Sequence, residues 1–325
     1  MNPPPASESI PAPIRIATRG SRLARWQADW VADRLRAAHP GRAVELIEIK
    51  TQGDRDRSSP LAAIGGAGVF TKEIQRAVLD GLADVAVHSL KDLPTQGPDA
   101  LVLAAVPPRE DVADALIAPI HKTLASLPAG SRVGTSSLRR RAQLLFARPD
   151  LEVATIRGNV ETRLNQALDR KLDAVVLAWA GLHRLGLEGN VTQRLAPPDF
   201  LPAVGQGALG IECRGDDQAT LGLLAVLDDA DAHRAVVAER RALAELEGGG
   251  MIPMAAWARR ETAADEPGGV LVLDAAVFEP DGRRRIVASL RGPLDEPDAL
   301  GRRVAEALRE GGADPLLAAF RQNRP

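Results

Sequence analysis

IRIATRGSRLARWQADWVADRLRAA, residues 14–38, sets the pattern on which the rest of the chain is built. IRIAT is a short apolar run with the look of a buried strand, and Gly20-Ser21 punctuates its end. Beyond it Leu23, Trp26, Trp30, Val31 and Leu35 recur at helical spacing, which predicts a strand–turn–helix unit with that face inward. The alternation continues outward from there. VELIEIK (44–50) reads as a strand, and a polar, Gly-rich stretch covers 51–68. A helix with Ile74, Ala77 and Val78 inward leads to the strands DVAVHSL (84–90) and LVLAAV (101–106). A second set opens near Arg109 with DALIA, then RVGTSS running into LRRRAQLLFA, EVATIRG running into VETRLNQALDRK, and DAVVLAWAG. ALGIECR (208–214), after the Pro/Gly-rich LPAVGQG, is expected to return the chain to the first set. Strands alternating with amphipathic helices define an α/β fold.

The last hundred residues change character. One long helix is expected over about 219–246, stopped by EGGG (247–250). Two alternating runs follow, GVLVLDAAVFE and RRRIVASLRG, joined by PDG, a hairpin signal. ALGRRVAEALREGG supplies a final helix. The chain therefore divides into a first domain (1–107 with 206–226), a second (108–205) and a small C-terminal α+β domain (227–325).

Composition narrows the functions available. The 325 residues suit two or three domains, and 41 basic residues against 43 acidic leave no bulk field for nucleic acid or a membrane surface. Aromatic residues are 3% with no tyrosine, against a stacking platform for single strands. The single cysteine, Cys213, rules out a disulfide framework, and five scattered histidines give no ligand spacing, so no metal is expected. MNPPPASESIPAP lacks the basic start and apolar run of a secretory signal and reads as a short disordered tail, so a cytoplasmic monomer is expected.

Anion recognition must then come from local clusters, and three lie at strand-to-helix junctions. Arg19 and Ser21 occupy the first. Thr135, Ser136 and Ser137 precede Arg139, Arg140 and Arg141 in the second. Arg157, Asn159 and Arg163 form the third. Hydroxyls and free N–H groups at helix starts bind anionic oxygens, guanidinium forks grip carboxylates, and strand carboxyl ends are where open α/β sheets place ligands. Together they favour a small polyanion. HSLKDLP adds Lys91 and Asp92 just past a strand, where a carboxylate could steady a cationic intermediate and handle protons. GGAGVF, with Gly65, Gly66, Gly68 and Phe70, lacks P-loop register and reads as a flap. Cys213 and the tryptophans read as packing.

ATRGSRLARWQ, GGAGVFTKEI, DVAVHSLKDLP, GTSSLRRRAQL, IRGNVETR, AGLHRLGL and LPAVGQGALGIECR, in this order, resemble the motifs of the porphobilinogen deaminase (hydroxymethylbilane synthase) family. The resemblance runs from about Ile14 to the C-terminus. It implies two periplasmic-binding-protein-like lobes around a cleft plus a small third domain. It also implies a transferase of haem and porphyrin biosynthesis that joins four porphobilinogen molecules head to tail with loss of ammonia. By resemblance Asp92, beside Lys91, is the catalytic carboxylate. The acetates and propionates of substrate and linear oligopyrroles fall to Arg19, Ser21, Gln27, Thr135, Ser136, Ser137, Arg139, Arg140, Arg157, Asn159, Arg163, Arg184 and Gln206.

One departure bears on the cofactor. Where the family carries Glu-Gly-Gly-Cys, two residues and a proline, this chain has EGGGMIP, so Gly250 stands in the place of the cysteine that forms a thioether to a dipyrromethane primer. Glycine cannot form that bond, and the Met251 sulfur is already alkylated. Ala63 and Ala67 also stand where the family commonly has flap lysines. The resemblance therefore implies a primer held non-covalently, or none. A catalytically reduced homologue that binds pyrroles or polycarboxylates as sensor or carrier is the alternative, while an ordinary solute-binding protein would need an export signal or lipid-anchor cysteine.

Overall fold

In the computed structural model, which describes residues 12–55, 68–247, 252–263 and 266–322, the chain forms three sheets with helices packed on them. β1 (Ile14–Arg19) runs into α1 (Arg22–Ala38), and β2 (Val44–Ile49) into the single turn α2 (Gln52–Arg55). α3 (Lys72–Leu79), β3 (Val85–Ser89) and β4 (Leu101–Ala105) complete the first run. The second holds β5 (Asp114–Ile117), β6 (Arg132–Gly134), α4 (Leu138–Ala147), β7 (Glu152–Ala154), α5 (Val160–Leu168), β8 (Ala174–Ala178), α6 (Trp179–Arg184) and β9 (Gln193–Leu195). Then come β10 (Leu209–Arg214), α7 (Gln218–Leu224), α8 (Ala230–Glu247), β11 (Met254–Ala263), β12 (Glu266–Phe278), β13 (Arg285–Gly292), α9 (Pro297–Glu310) and α10 (Ala313–Gln322).

The first two sheets share one plan. In β2-β1-β3-β10-β4 the first three strands are parallel and β10 is antiparallel to both neighbours. In β7-β6-β8-β5-β9 the parallel trio comes first and β5 is the antiparallel strand. Each antiparallel strand enters from a crossover, and β10 rejoins the first sheet as expected from ALGIECR. The lobes carry helices on both faces, as parallel strands require. In the first, Ala28, Val31, Ala32 and Leu35 of α1 cover one face, while Ile74, Ala77 and Val78 of α3 cover the other. The third sheet, β11-β12-β13, is antiparallel and buries one face under α8 and α9 through Ala238, Ala242, Val304 and Leu308.

Several expectations change. The buried face of α1 is Gln27, Ala28, Val31, Ala32 and Leu35, so Val31 and Leu35 face inward as expected, while Trp26, expected inside, is 36% exposed. The stretch 219–246 is two helices, broken at Asp228 and Asp229, where the Asp229 carboxylate accepts the Ala232 N–H at 2.8 Å and so starts α8 anew. DAVVLAWAG ends as a strand at Ala178 and continues as α6. The strand β11 and the helix α10 were not anticipated. The tail before residue 12, Gly65 and Gly66 of the flap, and Gly250 with Met251 lie outside the described residues.

The two crossovers, around 106–113 and 196–208, run side by side. The Glu110 N–H donates to the Gly207 carbonyl at 3.2 Å, and Gly207 has φ +86. A Cβ there would stand 2.3 Å from the Glu110 carbonyl oxygen, so only glycine fits. The crossovers are tied to the third domain by Glu239 of α8, whose side chain is wholly buried. Its carboxylate accepts Arg109 Nη1 at 2.6 Å and Nη2 at 3.0 Å, the Gly205 N–H at 2.7 Å and the Ala258 N–H at 2.8 Å. Glu239→Ala should therefore strand the Arg109 guanidinium and two buried amides, lowering stability by about 3–5 kcal/mol. An unchanged denaturant midpoint would show that this junction does not bind the parts together.

Candidate functional site: a basic cleft between two lobes

The carboxyl ends of the parallel strands of both lobes face one cleft, and a cavity of about 730 Å³ lies there. Arg19, Ser21 and Phe70 line it from the first lobe; Arg157, Asn159 and Arg163 line it from the second. Arg22, Glu48, Lys50 and Thr162 also line it and were not singled out from sequence. Glu48 and Lys50 lie at the carboxyl end of β2, and that position was their only signal. The Arg19 guanidinium stacks over the Phe70 ring at 4.1 Å, which fixes its plane.

The hydroxyl and amide residues at the three junctions are helix caps. Ser21 accepts the Ala24 N–H at 3.3 Å on α1, Ser137 accepts the Arg140 N–H at 3.3 Å on α4, and Asn159 accepts the Thr162 N–H at 2.8 Å on α5. Ser136 donates to the Ile156 carbonyl, joining β6 to the segment that bears Arg157, while the Thr135 hydroxyl accepts the Ser137 N–H at 3.2 Å. Gln27 differs from its expected role. It is buried on α1, and its amide donates to the Ser89 hydroxyl at 2.8 Å, which holds the end of β3 just before Lys91 and Asp92.

Arg139, Arg140 and Gln206, expected on ligand carboxylates, converge instead on the protein's own carboxylate, Asp114. Arg139 Nη1 reaches Asp114 Oδ2 at 2.7 Å, and Arg140 reaches Oδ1 through Nε at 3.0 Å and Nη2 at 2.7 Å. The Gln206 amide adds a bond to Oδ1 at 2.8 Å and one to the Val112 carbonyl at 2.8 Å. Asp114 is 0% exposed, and an unpaired carboxylate at that depth is prohibitive. Burial alone would raise its pKa, but the two guanidinium groups outweigh it and hold it well below the usual carboxylate range. Arg184 also has an internal bond, donating Nη2 to the Gly207 carbonyl at 2.7 Å, with its guanidinium 5.8 Å from the Trp26 ring across the cleft. Enclosure pushes it down to about 10.

Other groups remain unspent. The buried Nε atoms of Arg139, Arg157 and Arg163 have no hydrogen-bond partner among the described residues. Such groups in native proteins ordinarily meet a ligand or water. Lys91 and Asp92 follow β3 in a short turn at the carboxyl end of that strand, outside the cavity lining itself. Lys91 is an exposed residue, yet desolvation by the protein around its ammonium, with Arg140 nearby, pushes its pKa down to about 8. Asp92 favours the charged form of Arg163, whose pKa enclosure and Arg140 lower, so the carboxylate sits close to the cleft's guanidinium groups. The cleft thus has cationic side chains on both walls, with unpartnered guanidinium Nε atoms on the second lobe's Arg157 and Arg163 and a carboxylate, Glu48, on the first.

Residues 14–222 match the family model "Porphobilinogen deaminase, dipyromethane cofactor binding domain", and residues 233–310 match "Porphobilinogen deaminase, C-terminal domain". A porphobilinogen deaminase of Syntrophotalea carbinolica is 49% identical over 94% of this chain and 96% of that protein. One from Xanthomonas axonopodis pv. citri is 50% identical over 94% of this chain and 98% of that protein. Among solved structures, the methionine-binding protein MetQ aligns at 12% identity and a TM-score of 0.44, over 66% of this chain and 89% of that one. This chain belongs to the porphobilinogen deaminase family.

The two kinds of arginine should separate experimentally. Arg140→Leu should cost about 3–5 kcal/mol of stability by breaking a buried charge pair. Arg163→Leu, which breaks no ion pair within the described residues, should stay within about 1 kcal/mol of the parent. Equal denaturant midpoints for the two variants would contradict the assignment.

Proposed function

We propose that the chain is a transferase of the hydroxymethylbilane synthase type, condensing four porphobilinogen molecules head to tail with release of ammonia in tetrapyrrole biosynthesis, on a primer not held by a thioether. The observation that carries this reading is the pair of buried, unpartnered guanidinium Nε atoms of Arg157 and Arg163 in the cleft lining, with Asp92 close to Arg163. Substrate and chain each bring an acetate and a propionate per pyrrole, which suits donors of that kind. Arg19, Arg157, Arg163 and Arg184 hold those carboxylates. Ser21, Thr135, Ser136, Ser137, Asn159, Gln27 and Gln206 set the strand ends and helix starts from which the donors project. Arg139 and Arg140, bound to Asp114, anchor the floor.

Asp92 stabilises the cation left when ammonia departs and carries the proton lost from the pyrrole that attacks it. Lys91, cationic below about pH 8, adds to carboxylate binding at neutral pH. Dipyrromethane, when bound, supplies the pyrrole on which the chain grows. Its carboxylates suit the unpartnered guanidinium groups of the cleft, but a covalent anchor does not suit this chain. Position 250 is glycine. Cys213, the single thiol, is buried within β10 and its pKa is pushed up to about 11 by burial, so it is not a nucleophile. The reading takes the enzyme as a cytoplasmic monomer, and its domain division at 107/108, 205/206 and 226/227 is supported by β10 pairing with the first sheet.

Purified protein given porphobilinogen should release one ammonia per molecule consumed and form the linear bilane. Tight binding without ammonia release would favour the sensor or carrier. Asp92→Asn should fold normally and lose about 10²–10⁴-fold in turnover, the usual worth of acid–base assistance; near-parental turnover would remove Asp92 from the chemistry. Because the Lys91 ammonium loses its proton as pH rises through about 8, KM should climb between pH 7 and 9 in the parent and stay flatter in Lys91→Met. A flat parental profile would contradict that role.

A further inference from the structure

We propose that Glu48 recognises the aminomethyl ammonium of the incoming monopyrrole, so that the cleft selects a zwitterionic pyrrole acid over a purely anionic one. The inference rests on the porphobilinogen reading of the same cleft and adds a specificity residue to it. Among the described residues lining the cavity, Arg19, Arg22, Lys50, Arg157 and Arg163 are cationic, and Glu48 is the sole carboxylate. A carboxylate facing a polycarboxylate ligand repels it unless it meets a positive group of that ligand. Porphobilinogen has one such group, the aminomethyl ammonium, beside its two carboxylates.

The placement of Glu48 supports this use. It leaves β2 at the carboxyl end, two residues before Lys50, so both chains leave the strand on the same side. Its carboxylate folds over Gly20, where a Cβ would stand 2.4 Å from Oε1, and Gly20 itself lines the cavity between Arg19 and Ser21. Among the described residues its nearest cationic partner, Arg25 Nη1, is 3.7 Å away, beyond hydrogen-bond length, and both side chains are over 40% exposed. The carboxylate is thus loosely held and open to the cavity. Asp92 lies toward Arg163, which lines the same cavity, so a pyrrole bound there can meet Glu48 at its ammonium and Asp92 at its ring. Once ammonia has left, the joined pyrrole offers Glu48 only negative groups. The same carboxylate that favours the arriving monomer therefore disfavours its retention after joining.

The test compares two monopyrroles bound to parent and Glu48→Gln protein by calorimetry: porphobilinogen, and an analogue with the same acetate and propionate but methyl in place of aminomethyl. Loss of one charged hydrogen bond should weaken porphobilinogen binding in Glu48→Gln by about tenfold to a hundredfold. The methyl analogue should bind the variant as well as, or better than, the parent. Porphobilinogen affinity unchanged by the substitution would overturn the proposal. Equal weakening of both ligands would also overturn it, by showing that Glu48 only shapes the cleft. A parent that binds neither pyrrole would instead sink the porphobilinogen reading itself, and the proposal with it.

Discussion

The carboxylate of Asp114 sits where the chain first enters the second lobe, and the cleft is organised around it. Arg139 and Arg140 reach it from α4, and Gln206 reaches it from the returning crossover. One buried charge thereby fixes the start of β5, the first turn of α4 and the returning crossover together. The carboxylate needs both guanidinium groups to remain ionised at that depth. The result is a rigid basic floor whose positive charge is only partly cancelled, and that residual charge is what Lys91 and Arg163 experience.

Above that floor the lobes present different donors to a common space. The first contributes Arg19, held in plane by Phe70, and the Lys91–Asp92 turn, braced by Gln27 through Ser89. The second contributes Arg157 and Arg163, from either side of the Asn159 cap. Because each donor stands at the end of a strand or the start of a helix, its direction is set by the sheet. Relative lobe position depends on the paired crossovers, kept in contact by Gly207 and clamped by Glu239. A ligand bridging both walls would meet donors from two separately folded sheets, which suits a chain that lengthens within the site.

Much of the architecture was legible because strands and helices alternate with clear periods, and β10 announces itself as an apolar run displaced from its sheet. The C-terminal part was harder. β11, MAAWARRETA, carries small residues and arginines where strand patterns favour branched ones, and the Asp228–Asp229 break lies inside a sequence that remains amphipathic throughout. At the site, the clusters around Arg19, Arg157 and Arg163 were visible as basic residues at strand ends and helix starts. What sequence could not reveal was Asp114. DALIA reads as an ordinary buried strand, and nothing in it shows that its first residue takes the forks of Arg139 and Arg140. Nor does residue type distinguish an arginine that serves a ligand from one that serves the fold; only burial and partner atoms do.

The central question is how the polymer begins in a chain with glycine at 250 and its one thiol sealed in a sheet. Non-covalent priming requires the cleft's charge pattern to do what a thioether does elsewhere in the family. The most direct measurement is the intact mass of protein denatured while it is consuming porphobilinogen. The account predicts the mass of the bare 325-residue chain, with no pyrrole attached at any point of the time course. A mass raised by a dipyrrole, or a ladder of added pyrroles, would contradict it and show that another residue anchors the chain.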